Sequence, residues 1–322
     1  MAIETAFTER FGLQHPIMLA PMDKVAGGQL AAAVSGAGAL GIIGGGYGDS
    51  DWVEQAFQDA GNQSVGIGFI TWSANRNLAA VKRALARNPV ALMVSFGDAE
   101  ELVAMAKDAG VPTIWQVQRL SQAEQAMNAG VDVVVAQGQE GGGHGMDRGL
   151  MSLLPAVRDL VGSQTIVLAA GGIADGRGLA AALMLGADGV MLGTRFWASM
   201  EAQGSDVAKS AIVDAKGDNT VRSKVFDVLR GVDWPWHYTG RVVRNAVLDQ
   251  WHGNIDELKI KARSAKAAYD ASDADDLTTR VLIAGEAVDL IKSIKSAESI
   301  VQEISLEAEK LLSSASVRLT TI

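Results

Sequence analysis

Cysteine is absent from the chain, so disulfides, cysteine nucleophiles and thiolate metal sites are excluded together. Histidine is scarce as well: His15, His144, His237 and His252 are the full set. No two of them stand at H-x-H or H-E-x-x-H spacing, which argues against a histidine-built metal centre. Positive charge is also short, with 28 lysines and arginines against 37 acidic residues and a formal net charge of -9. That balance speaks against a nucleic-acid-binding stripe and against adhesion to an anionic membrane surface. The first ten residues carry acidic side chains and no apolar stretch, so a secretory signal is not expected there. Val25 to Gly48 is uncharged for long enough to raise a membrane span, but Gly27, Gly28, Gly36, Gly38, Gly41 and the Gly44–Gly46 run interrupt it. The expectation is a cytoplasmic protein that contacts neither nucleic acid nor membrane.

Short apolar runs, by contrast, are plentiful, in a chain that is 48% hydrophobic and long enough for a sizeable core. They fall at Pro16–Ala20, Leu40–Ile43, Val65–Phe69, Val90–Val94, Thr113–Val117, Val131–Ala136, Thr165–Ala169 and Gly189–Leu192. Apolar character without alternation is what a strand buried on both faces requires. Stretches with helical spacing separate them, such as Leu78, Val81, Leu85 or Leu102, Met105. A β/α unit repeated eight times is best satisfied by a closed parallel (β/α)8 barrel, with a doubly wound open sheet as the rival. Residues 1–216 are expected to form this TIM barrel. Residues 217–322 are expected to be mainly helical, covering the barrel or pairing with another copy in a homo-oligomer. In that region Ser272 with Asp275 reads as a capping box, followed by three-four spacing through Leu277, Val281, Ala284, Val288 and Ile291 and then Val301, Ile304, Ala308 and Leu311.

In either α/β architecture ligands bind at the carboxyl ends of the strands, so the residues just after each run deserve inspection. Gln137 to Gly145 follows the sixth run and sets His144 behind Gly141, Gly142 and Gly143, where the backbone can approach a flat or charged ligand closely. An imidazole titrating near neutrality is a natural proton acceptor there. Gly171-Gly172 after the seventh run, and Met191, Leu192, Gly193 and Thr194 at the end of the eighth, fall where barrels commonly bind phosphate. Ala20-Pro21-Met22 ends the first run with extended backbone able to meet a ring edge, although Met22 also suits barrel-mouth packing. Gln116 and Gln137 offer amides suited to a heterocycle with alternating donors and acceptors. Gly36 to Gly41 spells G-x-G-x-x-G, but it ends a helix and opens a strand, the reverse of the dinucleotide-binding context. No lysine ends the sixth run to serve as a Schiff-base nucleophile. Side chains this poor in reactive groups point to a cofactor that supplies the hard chemistry.

Pro16 to Met22, Gly38 to Gly41, Gln137 to His144, Ala169 to Gly176 and Leu192 to Phe196, taken in order, resemble the nitronate monooxygenase family, formerly the 2-nitropropane dioxygenases. Gly240-Arg241 and Arg244-Asn245 are similar to the family's late segment, so the likeness runs over roughly residues 10 to 250. It implies an FMN-containing barrel that oxidises alkyl nitronates with O2 to a carbonyl compound and nitrite, consuming no pyridine nucleotide. By the resemblance, Gly172 and the Met191–Thr194 turn hold the FMN phosphate. Gln137, Gly142 and the Ala20–Met22 backbone border the flavin, and His144 lies beside its reactive face as base for a small-molecule substrate. Trp72, Trp236 and Tyr238 would help to dry the mouth. Two departures stand out: Gly66 to Ile70 replaces the family's third-strand asparagine, and the histidine loop reads Glu-Gly-Gly-Gly-His for Glu-Ala-Gly-Gly-His. The competing readings are an NADH-dependent FMN reductase of the enoyl-ACP reductase or quinone reductase type, and a phosphate-binding barrel without redox work.

Overall fold

In a computed structural model that describes residues 3–314, all eight apolar runs become parallel strands of one sheet. Residues 1–2 and 315–322, the outermost positions of the expected 1–216 and 217–322 units, lie outside the described residues. The strands are β1 (Ile17–Leu19), β2 (Ile42–Gly46), β3 (Gly66–Ile70), β4 (Leu92–Ser95), β5 (Thr113–Val117), β6 (Val133–Gln137), β8 (Ile166–Ala170) and β9 (Gly189–Leu192). Between β6 and β8 a short strand, β7 (Gly143–Gly145), belongs to a different sheet. The order β1-β9-β8-β6-β5-β4-β3-β2 closes through a parallel bridge between Met18 and Leu40. There Leu19 N donates to Leu40 O and Leu40 N to Ile17 O, each at 2.9 Å.

Two-sided burial follows from the alternation of side chains along each strand. Ile17, Leu19, Ile43, Ile67 and Val134 face outward onto the helices. Met18, Ile42, Met93, Ile114, Val135, Leu168 and Met191 fill the barrel interior, and Phe7 of the helix Ala6–Phe11 joins them. The interior is therefore a packed core that leaves the strand ends free to carry function. β2 starts two residues later than expected and runs through Gly44–Gly46, with an irregularity between Gly44 and Gly46. A Cβ on Gly44 would lie 2.2 Å from the Met22 carbonyl oxygen, so this glycine lets the turn after β1 press directly on β2.

Beyond β9 the expected run of helix is only partly present. β10 (Thr220–Ser223) and β11 (Thr239–Val243) pair antiparallel, and β11 also pairs with β7, giving a three-stranded sheet. Ser272 does not open a helix. It ends the helix Ala262–Ala271, its hydroxyl donating back to Tyr269 O at 2.8 Å, while Asp275 N donates to Asp273. Leu277 to Gly285 is a strap rather than a helix: Ile283 bridges Val242, Val243 N donates to Leu282 O, and Gly285 N donates to Thr194 Oγ1. The spacing misled because an extended segment followed by the 3-10 turn Glu286–Leu290 also buries Leu282, Ala284, Val288 and Ile291. The last expected helix is real. Ala297–Ser314 buries Ile300, Val301, Ile304 and Ala308 against the helices Gly176–Met184 and Gly28–Gly36, so it stands in the ring around the barrel. Among the described residues no helix is long and apolar enough to cross a membrane.

Candidate active site

A cavity of about 310 Å³ opens at the carboxyl ends of the barrel strands. Its wall brings together Ala20, Pro21, Met22, Gln116, Gln137, Gly142, Gly143, His144, Gly171, Gly172, Met191, Gly193 and Thr194. Leu192 is the exception among the residues expected to touch the cofactor. Consecutive strand residues point to opposite faces, so Met191 reaches the cavity while Leu192 is buried in the outer core.

His144 sits on β7 rather than on a bare loop, opposite Gly240 of β11. Its Nε2 lies 2.9 Å from Asp227 Oδ1, with both side chains only about one-tenth exposed. Its ring stacks on Trp234 at a centroid distance of 3.5 Å and an interplanar angle of 5°. Trp234 is itself fixed, since its indole N–H donates to Tyr47 Oη at 2.9 Å and Trp72, Phe96 and Tyr238 pack edge-on around it. Burial holds the imidazole pKa below its usual value, and the nearby Asp227 carboxylate opposes that only in part. The ring is thus neutral at neutral pH, donating Nε2–H to the carboxylate and leaving Nδ1 with a free lone pair. Trp72 and Tyr238 belong to this aromatic box, as expected. Trp236 does not: it is 83% exposed, and the indole that matters is two residues earlier.

The glycine-rich segment is held from several sides. Gln137 Oε1 accepts from Gln116 Nε2 at 2.9 Å and from Gln118 Nε2 at 2.8 Å, while Gln137 Nε2 donates to the His144 carbonyl at 3.1 Å. These amides are buried and tie β5 and β6 to β7, with the buried Gln118 Oε1 left without a partner among the described residues. Arg222 Nε and Arg241 Nε both donate to Gln139 O, at 3.1 and 2.9 Å. Burial first, and then the neighbouring Arg241, bring the Arg222 guanidinium down to about 10. Glu140 accepts from Leu150 N at the start of the helix Leu150–Val161. A Cβ on Gly142 would stand 2.7 Å from Ala284 C and Gly285 N, so this glycine exists for close packing against the strap as much as for ligand approach.

At the opposite end Gly171 and Gly172 adopt φ of +100° and +73°, a left-handed backbone that favours glycine. The Gly172 and Thr194 amides donate to no other group among the described residues. Amides of this kind suit an anionic oxygen, and a Gly193 Cβ would meet nothing closer than 3.6 Å, so the cradle has room. Sequence reasoning did not find Tyr47, Gln118, Asp227, Arg230 or Trp234. Trp234 opens the aromatic segment 234–238 and had a signal; Asp227 and Arg230 lie on a six-residue helix without one.

A closed parallel barrel with a glycine-lined cavity and a buried imidazole at its strand ends has the architecture of a TIM-barrel enzyme. The chain belongs to the nitronate monooxygenase family, whose profile matches residues 4–64 and 62–307, and it is an oxidoreductase. A nitronate monooxygenase of Metarhizium robertsii, npaC, is 36% identical over 334 residues, covering 92% of each chain. Among solved structures, FabK from Thermotoga maritima superposes with a TM-score of 0.86 at 30% identity, covering 98% of this chain and 100% of that one. The nitroalkane oxidase of Streptomyces ansochromogenes gives a TM-score of 0.78 at 25% identity, with 97% and 100% covered.

Proposed function

We propose that the cavity holds FMN and that the protein oxidises alkyl nitronates with O2 to a carbonyl compound and nitrite. The observation that carries this reading is the neutral His144, pinned between Asp227 and Trp234 on the wall of the cavity, in a chain of the nitronate monooxygenase family. The residues present fit the cofactor. Gly172 and Thr194 would offer their free amides to the phosphate, and Gln116, Gln137 and the Ala20–Met22 backbone line the cavity where the ring would lie. When bound, FMN supplies the redox chemistry, accepting electrons from the substrate and passing them to O2.

The chain's own residues bind and move protons. A nitronate arrives already deprotonated and needs no base. A neutral nitroalkane needs one, and His144 Nδ1 has the free lone pair to take the proton from the carbon bearing the nitro group. The imidazolium formed is then stabilised by the Asp227 carboxylate at 2.9 Å and by the face of Trp234. Positioned general-base help of this kind is worth about 10²–10⁴ in rate. Trp72, Phe96, Trp234 and Tyr238 keep water from the imidazole, which strengthens its pairing with the carboxylate. Ethyl nitronate added to the yellow purified protein, without NADH, should give oxygen uptake and nitrite; neither appearing would refute the assignment. The likeness to FabK favours a second reading, an NADH-dependent reductase, which would consume NADH in the same cell and ignore the nitronate.

A further inference from the structure

The helix Val225–Arg230 carries Asp227 and Arg230 at a spacing where opposite charges on one helix usually pair. Here they do not. Asp227 Oδ1 is taken by His144, Oδ2 is buried without a partner, and the Arg230 guanidinium makes no hydrogen bond or ion pair among the described residues. The guanidinium lines the cavity, where it is the sole lysine or arginine among the described residues. Other cations near the barrel mouth are committed. Arg222 and Arg241 hold Gln139 O, Arg241 also pairs with Glu286, and Arg195 donates to the carbonyls of Ala198 and Ser293.

The groups within electrostatic reach of Arg230 include His144, Tyr47 and Asp23, besides Asp227 on its own helix. Asp23 follows β1 and lines the same cavity without pairing to Arg230; burial holds its carboxyl above the usual range, although Lys24 and Arg230 oppose this. Glu140, the other lining carboxylate, is engaged with Leu150 N. A guanidinium left half-buried and without a hydrogen-bonded partner at a reacting cavity presents a planar fork of donors to a ligand.

We propose that Arg230 is the substrate-anchoring residue of this cavity, binding the two oxygens of a small planar anion, the nitronate group. The identity of the anion rests on the nitronate reading; the anion site itself does not. Nitrate, a planar oxyanion that cannot be oxidised, separates the two. Titrated into the flavin-loaded protein and followed by calorimetry, nitrate should bind the wild type and bind Arg230→Gln about tenfold or more weakly, with Arg230→Lys between them. Asp23→Asn, which removes the competing carboxylate, should bind nitrate more tightly. In turnover, Arg230→Gln should raise KM for ethyl nitronate and lower kcat/KM for neutral nitroethane, whose nitro oxygens gain the nitronate charge as the proton leaves. Equal nitrate affinity in the wild type and Arg230→Gln would overturn the proposal, as would loss of flavin from Arg230→Gln, which would assign the guanidinium to the cofactor. Arg230-dependent nitrate binding without any nitronate turnover would keep the anion site and discard the proposed reaction. Should Arg230→Gln fail to fold, the opposite shifts expected of Arg230→Lys and Asp23→Asn carry the same test.

Discussion

Replacing Asp227 by Asn keeps the shape of the side chain and an oxygen able to accept from His144 Nε2, but removes the charge that the imidazolium needs. Both partners are about one-tenth exposed, so solvent screens the pair little. A hydrogen bond to a charged group contributes about 1.5–3 kcal/mol. If that contribution is realised only once His144 has taken a proton, its loss lowers the rate roughly tenfold to hundredfold. An Asn that turned its amide toward Nε2 would also reverse the tautomer and put a proton on Nδ1, enlarging the loss. The effect must be selective: nitroethane, which has to be deprotonated, should lose this factor in kcat, whereas ethyl nitronate should change by less than about threefold. Nitrite release from both substrates, at matched flavin content, reads the difference. Equal losses on both substrates, or none on either, would refute the base assignment to the His144–Asp227 pair.

The remaining expectations use the same contacts. Because burial lowers the His144 pKa, the base form persists on the acid side of 6.5, so nitroethane turnover should decline only below that pH. The acid limb should move lower still in Asp227→Asn, because the raising influence is gone; a limb above 6.5, or moving upward, would contradict this. Gly142→Ala places a Cβ 2.7 Å from the backbone of Ala284 and Gly285, so flavin content and melting temperature should both fall. Trp234→Leu removes the stack on His144 and the bond to Tyr47, and should cost about 2–4 kcal/mol in urea unfolding together with most nitroethane activity. Gln137→Leu strands the amides of Gln116 and Gln118, an expected loss of about 1–3 kcal/mol for each group left unsatisfied.

The barrel was legible because its strands are buried on both faces, a constraint that writes itself into eight unbroken apolar runs. β5 and β9 begin and end where the runs do. The strap at 277–285 was not legible: an extended chain and a 3-10 turn lying on one surface bury residues at intervals that mimic a helix. The same holds within the site. Glycines at strand ends, His144 and the paired glutamines announced themselves through residue type and position. Asp227, Trp234 and Tyr47 come from three separate elements, and their meeting at the imidazole is a product of tertiary structure with no local spacing to betray it. Leu192 was drawn in by belonging to a motif, although strand alternation alone turns it away from the cavity.

The central claim is that this cavity binds a flavin and brings a nitronate to it. It is tested most directly by watching the flavin absorbance of the purified protein under nitrogen. Ethyl nitronate should bleach the yellow band, and NADH added alone should leave it unchanged. A colourless protein that takes up no FMN, or a flavin bleached by NADH and untouched by the nitronate, would contradict the account.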